Sequence, residues 1–299
     1  MTTFADYLGI EYAKRTTEKP RTRGLTMVMD QGWGNEFVEG MLEGFSGSLD
    51  VVKLWDPCLA SPLEVVRRKV QLYRKYDVVV QPGGLFLEMA RNQGAGDQAL
   101  TRLKEFGFNA VEVSSTTSTR SELDADARFV EKAKKMGFAV FGEVGRKFAD
   151  GDETRLTEDT VDIDRTVAEF NSLLGAGAEK VYWEGHLLRI VMGDDPDEIH
   201  KRAGTGTQQV REVVRQVGLD NIMFEVSGLR PRANRQWLQF WLVRVFGPEV
   251  NIANATIEEL ANLEAIRSGN HPIFGFGSAG NYPWIRARAE GRADDWWRT

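Results

Sequence analysis

The chain has 299 residues, 42% of them hydrophobic, and a formal net charge of -6 at neutral pH. That length holds one large domain or two small ones, and the acidic balance argues against a general nucleic-acid surface, which needs a basic excess. The single cysteine, Cys58, excludes an intrachain disulfide and suits a reducing compartment. With no charged-then-apolar leader and no run near the roughly 18 apolar residues of a bilayer span, the expectation is a soluble cytoplasmic protein with neither a membrane nor a nucleic-acid partner.

In chain order, short apolar runs alternate with longer amphipathic ones. An N-terminal helix is expected over about residues 1–20, then a strand at Leu25–Asp30 and a helix at Glu36–Phe45. A strand at Asp50–Trp55 precedes a helix over Pro62–Lys75, which opens with Ser61 as N-cap and proline at the first helical position. The strand Asp77–Gln81 leads to a helix over Gln98–Phe106 that stops at Gly107, and the strand Ala110–Ser114 to Ser121–Met136, which stops at Gly137. The strands Ala139–Val144, Val181–Gly185, Ile222–Val226 and Val250–Asn254 are followed by helices over Thr160–Leu174, Thr207–Val217, Trp237–Val245 and Ile257–Arg267. Asp150–Asp159 and Gly204–Gly206 read as loop insertions, and about 270–299 as a C-terminal tail.

Eight strand–helix repeats with no strand-only region point to an α/β fold, a single-domain (β/α)8 TIM barrel. A doubly wound sheet is the alternative. The short apolar strands suit a parallel sheet buried on both faces.

Barrels keep their chemistry at strand C-terminal ends. The polar residues there are Asp30, Lys53, Gln81, Glu112, Glu143, Glu184, Glu225, and Asn251 with Asn254. Four consecutive strands end on two apolar or small residues followed by Glu: Ala-Val-Glu112, Phe-Gly-Glu143, Tyr-Trp-Glu184 and Met-Phe-Glu225. Burying a carboxylate is costly unless it is paired, hydrogen-bonded or metal-bound. A salt-bridge network with Lys53 and Lys147 accounts for some of them, but repeating the cost on four strands calls for a purpose. Carboxylates for Mg2+, a proton-donating lysine and further cations for an anion make a coherent set for stabilising an enediolate beside a carboxylate. Glu112, Glu184 and Glu225 are the candidate metal ligands, and Lys147, Lys53 and Glu143 the candidate catalytic groups.

Two loops offer anion grips. Gln81-Pro-Gly83-Gly84 can turn backbone N–H groups toward an anion. Arg230, Arg232 and Arg235 follow the seventh strand, where barrels often hold phosphate. Gly275-Phe-Gly277-Ser-Ala-Gly280 matches a dinucleotide fingerprint in spelling only, because no strand immediately precedes it. Trp284, Trp296 and Trp297 are expected to cover a barrel surface or a subunit contact.

Several motifs occur in the order of one known family. They are Gly24-Leu-Thr-Met-Val-Met-Asp30, Gln81-Pro-Gly-Gly84 with Glu88, Gly107-Phe-Asn-Ala-Val-Glu112-Val-Ser114 and Glu143-Val-Gly-Arg-Lys147, then Ala178-Glu-Lys-Val-Tyr-Trp-Glu184-Gly185, Met223-Phe-Glu225 and Phe246-Gly-Pro-Glu-Val-Asn251-Ile-Ala-Asn254. From about Gly24 to Gly269 the chain resembles (2R)-phospho-3-sulfolactate synthase of coenzyme M biosynthesis. The resemblance implies a Mg2+-dependent barrel enzyme in which sulfite attacks the methylene carbon of phosphoenolpyruvate. The resulting aci-carboxylate is then protonated at the adjacent carbon. Lys147 matches the family's candidate proton donor, and Lys53 with the strand-end glutamates matches its polar lining. Gly83, Gly84, Ser114 and Asn254 fall in matched motifs and join the arginines as candidate substrate contacts. A small anionic substrate and a homo-oligomer are expected.

The chain departs from that pattern at Gln31, at Trp55-Asp56-Pro57-Cys58, at Leu85, at His186 and at Ser268–His271. Several phosphate-facing side chains are thereby missing, which implies a re-sited anion grip or a different substrate. Two other readings compete: a non-catalytic stress or interaction protein on this scaffold, and a Schiff-base aldolase using Lys53 or Lys147.

Overall fold

The fold is taken from a computed structural model, which describes residues 3–15, 18–114, 120–145, 148–149, 152–156, 161–184, 205–226, 232–271 and 282–298. A helix α1 (Phe4–Tyr7) precedes β1 (Thr26–Asp30), α2 (Asn35–Phe45), β2 (Val51–Leu54), α3 (Leu63–Lys75), β3 (Val79–Pro82), α4 (Gly84–Asn92), α5 (Gly96–Phe106), β4 (Ala110–Val113) and α6 (Arg120–Lys135). Then come β5 (Ala139–Val144), β6 (Phe148–Ala149), β7 (Asp152–Leu156), α7 (Ile163–Gly175), β8 (Lys180–Trp183), α8 (Thr205–Val217), β9 (Ile222–Glu225), α9 (Arg232–Phe246), β10 (Ile252–Ala255), α10 (Leu260–Arg267) and α11 (Pro283–Ala289).

Eight strands form one sheet in the order β3-β2-β1-β10-β9-β8-β5-β4, and every pairing in it is parallel. The sheet curls until its edges meet. Asn109 N donates to Val80 O at 3.3 Å, and the Asn109 amide oxygen accepts from Val80 N at 2.8 Å. This is the expected (β/α)8 barrel.

Because successive side chains on a strand face opposite ways, the alternation along each strand builds two cores. Val28, Val52, Val80, Val111, Val140, Val181, Ile222 and Ile252 point outward into the layer between sheet and helices. Met27, Val51, Ala110, Phe141, Tyr182, Met223 and Ala253 point inward and fill the barrel. Two residues further along the same strands lie Lys53, Glu112, Glu143, Glu184 and Glu225. The alternation that stacks apolar layers inside the barrel thus delivers a polar layer to its C-terminal mouth.

Some boundaries differ from the sequence expectation. The N-terminal helix is four residues long, and Gly9 with φ +68 sits just beyond it, in a conformation that favours glycine. Helix α4 begins at Gly84, the last residue of the Pro-Gly-Gly run, where glycines are poor guides to a helix start. The acidic insertion holds β7, which pairs antiparallel with β6 just before it. In the tail, Trp284 and Trp296 are buried in the outer core. Gly269 and Gly247 leave room for the Trp296 and Trp297 rings, which a Cβ at either glycine would crowd. Among the described residues no helix is long and apolar enough to cross a membrane.

Candidate active site

Lys53 is the hub of the mouth. Its Nζ lies 2.9 Å from Glu112 Oε2 and 3.0 Å from Glu225 Oε1, and all three side chains are buried. The Tyr182 ring lies beneath the ammonium, 5.0 Å away at its centroid, and adds a cation–π contact. Glu112 also accepts from the β3 side, from Gln81 Nε2 to Oε2 at 2.8 Å and from Gly84 N to Oε1 at 3.1 Å, and its carboxyl group is hydrogen-bonded to that of Glu143. Tyr182 Oη in turn donates to Gln81 Oε1 at 3.2 Å. A lysine, two carboxylates, an amide and a phenol therefore form one network spanning β2, β3, β4, β8 and β9.

Burial dominates the protonation energetics. It pulls the Lys53 ammonium down, but the combined fields of Glu112, Glu225 and Glu143 outweigh that and hold its pKa well above the usual lysine range. Burial raises Glu112 to about 7 against the opposing pull of Lys53, with Glu143 adding to the rise. It raises Glu225 to about 8 despite Lys53, with Glu184 and Glu143 reinforcing it. One buried lysine does not compensate for the carboxylates gathered around it.

Glu143, Glu184 and Glu225 each offer a carboxylate oxygen within 4.8 Å of the others. They come from the adjacent strands β5, β8 and β9. Gly145, at φ +115, lets the chain leaving β5 pass against Glu184, whose Cβ lies 2.6 Å from where a Cβ on the glycine would sit. The sequence expectation grouped Glu112 with Glu184 and Glu225 as metal ligands and set Glu143 apart as a catalytic group. The structure puts Glu143 with Glu184 and Glu225, and turns Glu112 toward Lys53, Gln81 and the Gly84 amide.

The other expected contacts are distributed unevenly. Gly83 N donates to Leu54 O at 2.9 Å, and the Gly84 amide is taken by Glu112, so the Pro-Gly-Gly turn cradles a protein carboxylate rather than leaving its amides open. Ser114 is buried against Gly84, where any side chain would collide with its hydroxyl. Asn254 closes the eighth barrel strand at φ +57, and its buried Oδ1 has no hydrogen-bond partner among the described residues. Arg235 makes a buried ion pair with Glu259, its Nη2 2.6 Å from Oε1, which commits the guanidinium to the protein. Arg232 is exposed at the start of α9. Its charge, after burial, lowers the pKa of His271. Lys147, Arg230 and His186 lie outside the described residues.

Two groups that shape the mouth were not singled out from sequence. Tyr182 stands two residues before Glu184, so strand alternation alone places it beneath the polar layer. Lys69 and Tyr73, one helical turn apart on α3, anchor Asp30: Lys69 Nζ approaches its oxygens at 2.7 and 2.9 Å and Tyr73 Oη donates at 2.9 Å. Gly32 N and Trp33 N complete the shell at 2.8 and 3.1 Å, so Asp30 organises the turn after β1.

Fold and site define a (β/α)8 barrel with a lysine-bridged ring of carboxylates at its C-terminal mouth. A solved fungal endo-beta-N-acetylglucosaminidase of glycosyl hydrolase family 18 shares the fold at TM-score 0.52 and 11% identity, over 83% of this chain and 98% of that one. The family is set by sequence: the model for (2R)-phospho-3-sulfolactate synthase (ComA) matches residues 14–272, and the chain belongs to that family. Phosphosulfolactate synthase of Methanocaldococcus jannaschii is 30% identical over 248 residues, 83% of this chain and 92% of its own. The protein of the same name from Methanothermobacter thermautotrophicus is 29% identical over 252 residues, 84% of this chain and 91% of its own.

Proposed function

We propose that the protein is a lyase of the phosphosulfolactate synthase type, adding sulfite or a related nucleophile to phosphoenolpyruvate or a similar anionic alkene. The observation that carries the proposal is the Glu143–Glu184–Glu225 set beside the charged Lys53. Three converging carboxylate oxygens suit a hard divalent cation such as Mg2+. Held by these three glutamates, Mg2+ would supply positive charge to offset the negative charge that develops on the substrate.

The chain's own groups have separable tasks. Lys53, kept protonated by its carboxylate neighbours, fixes positive charge near the mouth, where negative charge grows during attack. In that attack the sulfur lone pair forms the C–S bond at the methylene carbon, and the alkene pair moves toward the substrate carboxylate. A proton then goes to the adjacent carbon, with Lys147 as the proposed donor. The Asn254 amide, whose buried oxygen has no partner among the described residues, is a proposed substrate contact, as is Ser114. Arg230 and Arg232 are proposed to grip the substrate anion; Arg235 supports that region through Glu259.

A Schiff-base aldolase needs a lysine that is readily neutral, and the raised pKa of Lys53 speaks against that role for it. An interaction-protein reading would gain from a tryptophan-rich tail open to a partner, but Trp284 and Trp296 are buried in the protein's own core.

The test is incubation of the protein with phosphoenolpyruvate, sulfite and Mg2+, followed by mass spectrometry. A sulfonated phospho-acid that fails to form after chelation or in Glu184→Gln is expected. No product at high enzyme concentration would overturn the narrow assignment.

A further inference from the structure

At the N-terminal end of the barrel, opposite the carboxylate mouth, lies an open cavity of about 610 Å³. Its floor is the lowest inward layer of the strands, including Leu25, Val51, Val79, Ala139 and Phe141, and is apolar. Its rim is cationic, with Lys19, Arg21, Arg74 and Lys180 all contributing.

The four cations are not equally committed. Arg21 is spent on Asp50, with Nη2 2.7 Å from Oδ2 and Nε 2.9 Å from Oδ1. Among the described residues Lys19 donates to the carbonyls of Tyr76 and Asp77, each at 3.3 Å. Lys180 donates to one carbonyl, Asp220 O, at 2.6 Å. An ammonium has three donors, so both lysines keep donors to spare while half-buried, and burial lowers the pKa of each. Arg74 is exposed and forms no ion pair among the described residues. Among the acidic lining groups Asp50 is held by Arg21, and Glu179 lies 4.0 Å from Lys134. Asp77 is thus the one lining carboxylate outside an ion pair among the described residues.

Asp50 and Asp77 lie near Lys19, and Asp220 and Glu179 near Lys180, but neither lysine makes a direct ion pair among the described residues, and a half-buried cation in that state has lost hydration that an anion can replace. The apolar floor below them asks for a hydrophobic body. We propose that this cavity binds an amphipathic organic anion, its carboxylate or phosphate head between Lys19, Arg74 and Lys180 and its apolar body over Val51, Val79 and Phe141. Asp77 on the lining would repel a second anionic group, which favours a ligand with a single anionic head. The site lies at the end of the barrel away from the proposed chemistry, so it is independent of the proposed function.

Calorimetric titration of the 299-residue chain tests it, with phenyl phosphate and benzoate as probes and inorganic phosphate as the head-only control. Saturable binding of at least one aromatic anion is expected, tighter than inorganic phosphate. Arg74→Gln and Lys180→Met should each weaken it roughly tenfold, the scale of one lost charge-assisted contact. Arg74 is exposed, so its replacement leaves the fold intact even if Lys180→Met does not. Hydrogen exchange should slow at residues 18–25 and 77–80 on binding. Binding unchanged in Arg74→Gln and in a folded Lys180→Met, protection confined to the C-terminal mouth, or no saturable binding by any probe at millimolar concentration would overturn the proposal.

Discussion

Lys53 Nζ stands 3.0 Å from Glu225 Oε1, with both side chains almost wholly removed from water. Lys53 also bridges Glu112, so replacing it with methionine strands two buried carboxylates. Loss of one partner from a buried ion pair costs about 3–5 kcal/mol. Lys53→Met should therefore lose about that much stability in urea at pH 8 without metal, and recover part of it at pH 5, where the glutamates take up protons. Equal stability of variant and wild type at pH 8 would mean that Lys53 does not hold the cluster together.

The same carboxylates give the metal-free protein a characteristic pH response. Glu112 and Glu225 rise to about 7 and about 8 in the folded state, above the ordinary value of 4.5. Between those values the folded state binds more protons than the unfolded state. Their contribution to stability is thus greatest below about pH 4.5 and is lost as pH climbs toward 8. Urea midpoints in a chelator should fall from pH 5 to pH 8, less steeply in Glu225→Gln, and the decline should flatten when Mg2+ is added. A midpoint that climbs over this range, or a slope identical in Glu225→Gln, would contradict the assignment.

Gly84 tests the packing behind the network. A Cβ there would overlap the Ser114 hydroxyl and stand 2.7 Å from Glu112 Oε1. Gly84→Ala should destabilise the fold by about 1–3 kcal/mol, the usual scale of overpacking, and disturb the position of Glu112. Adding Ser114→Gly should restore part of the stability. A Gly84→Ala variant as stable and active as wild type would show that the contact yields without cost.

Arg235 separates structural from substrate-binding roles. Its removal leaves Glu259 buried and unpaired. Arg235→Met should therefore lose about 3 kcal/mol or more of stability, with KM changed little. A large rise in KM at unchanged stability would instead return Arg235 to the substrate grip.

What the sequence by itself determined is periodic. Strand alternation predicts which residues face inward, and the Glu motif repeated on four strands marks the polar mouth before any coordinates are known. Glycine stops at Gly107 and Gly137 likewise end α5 and α6 within about a residue of the observed ends. Partnership across the barrel was decided only by the tertiary structure. Which carboxylate Lys53 meets, that Glu143 rather than Glu112 joins Glu184 and Glu225, and that Glu259 claims Arg235 all depend on how far a side chain reaches across a closed ring. Those distances join residues far apart in the chain, and local spacing carries no record of them. The cavity at the opposite end was hidden for the same reason, since Lys19 and Lys180 come together only when the strands close.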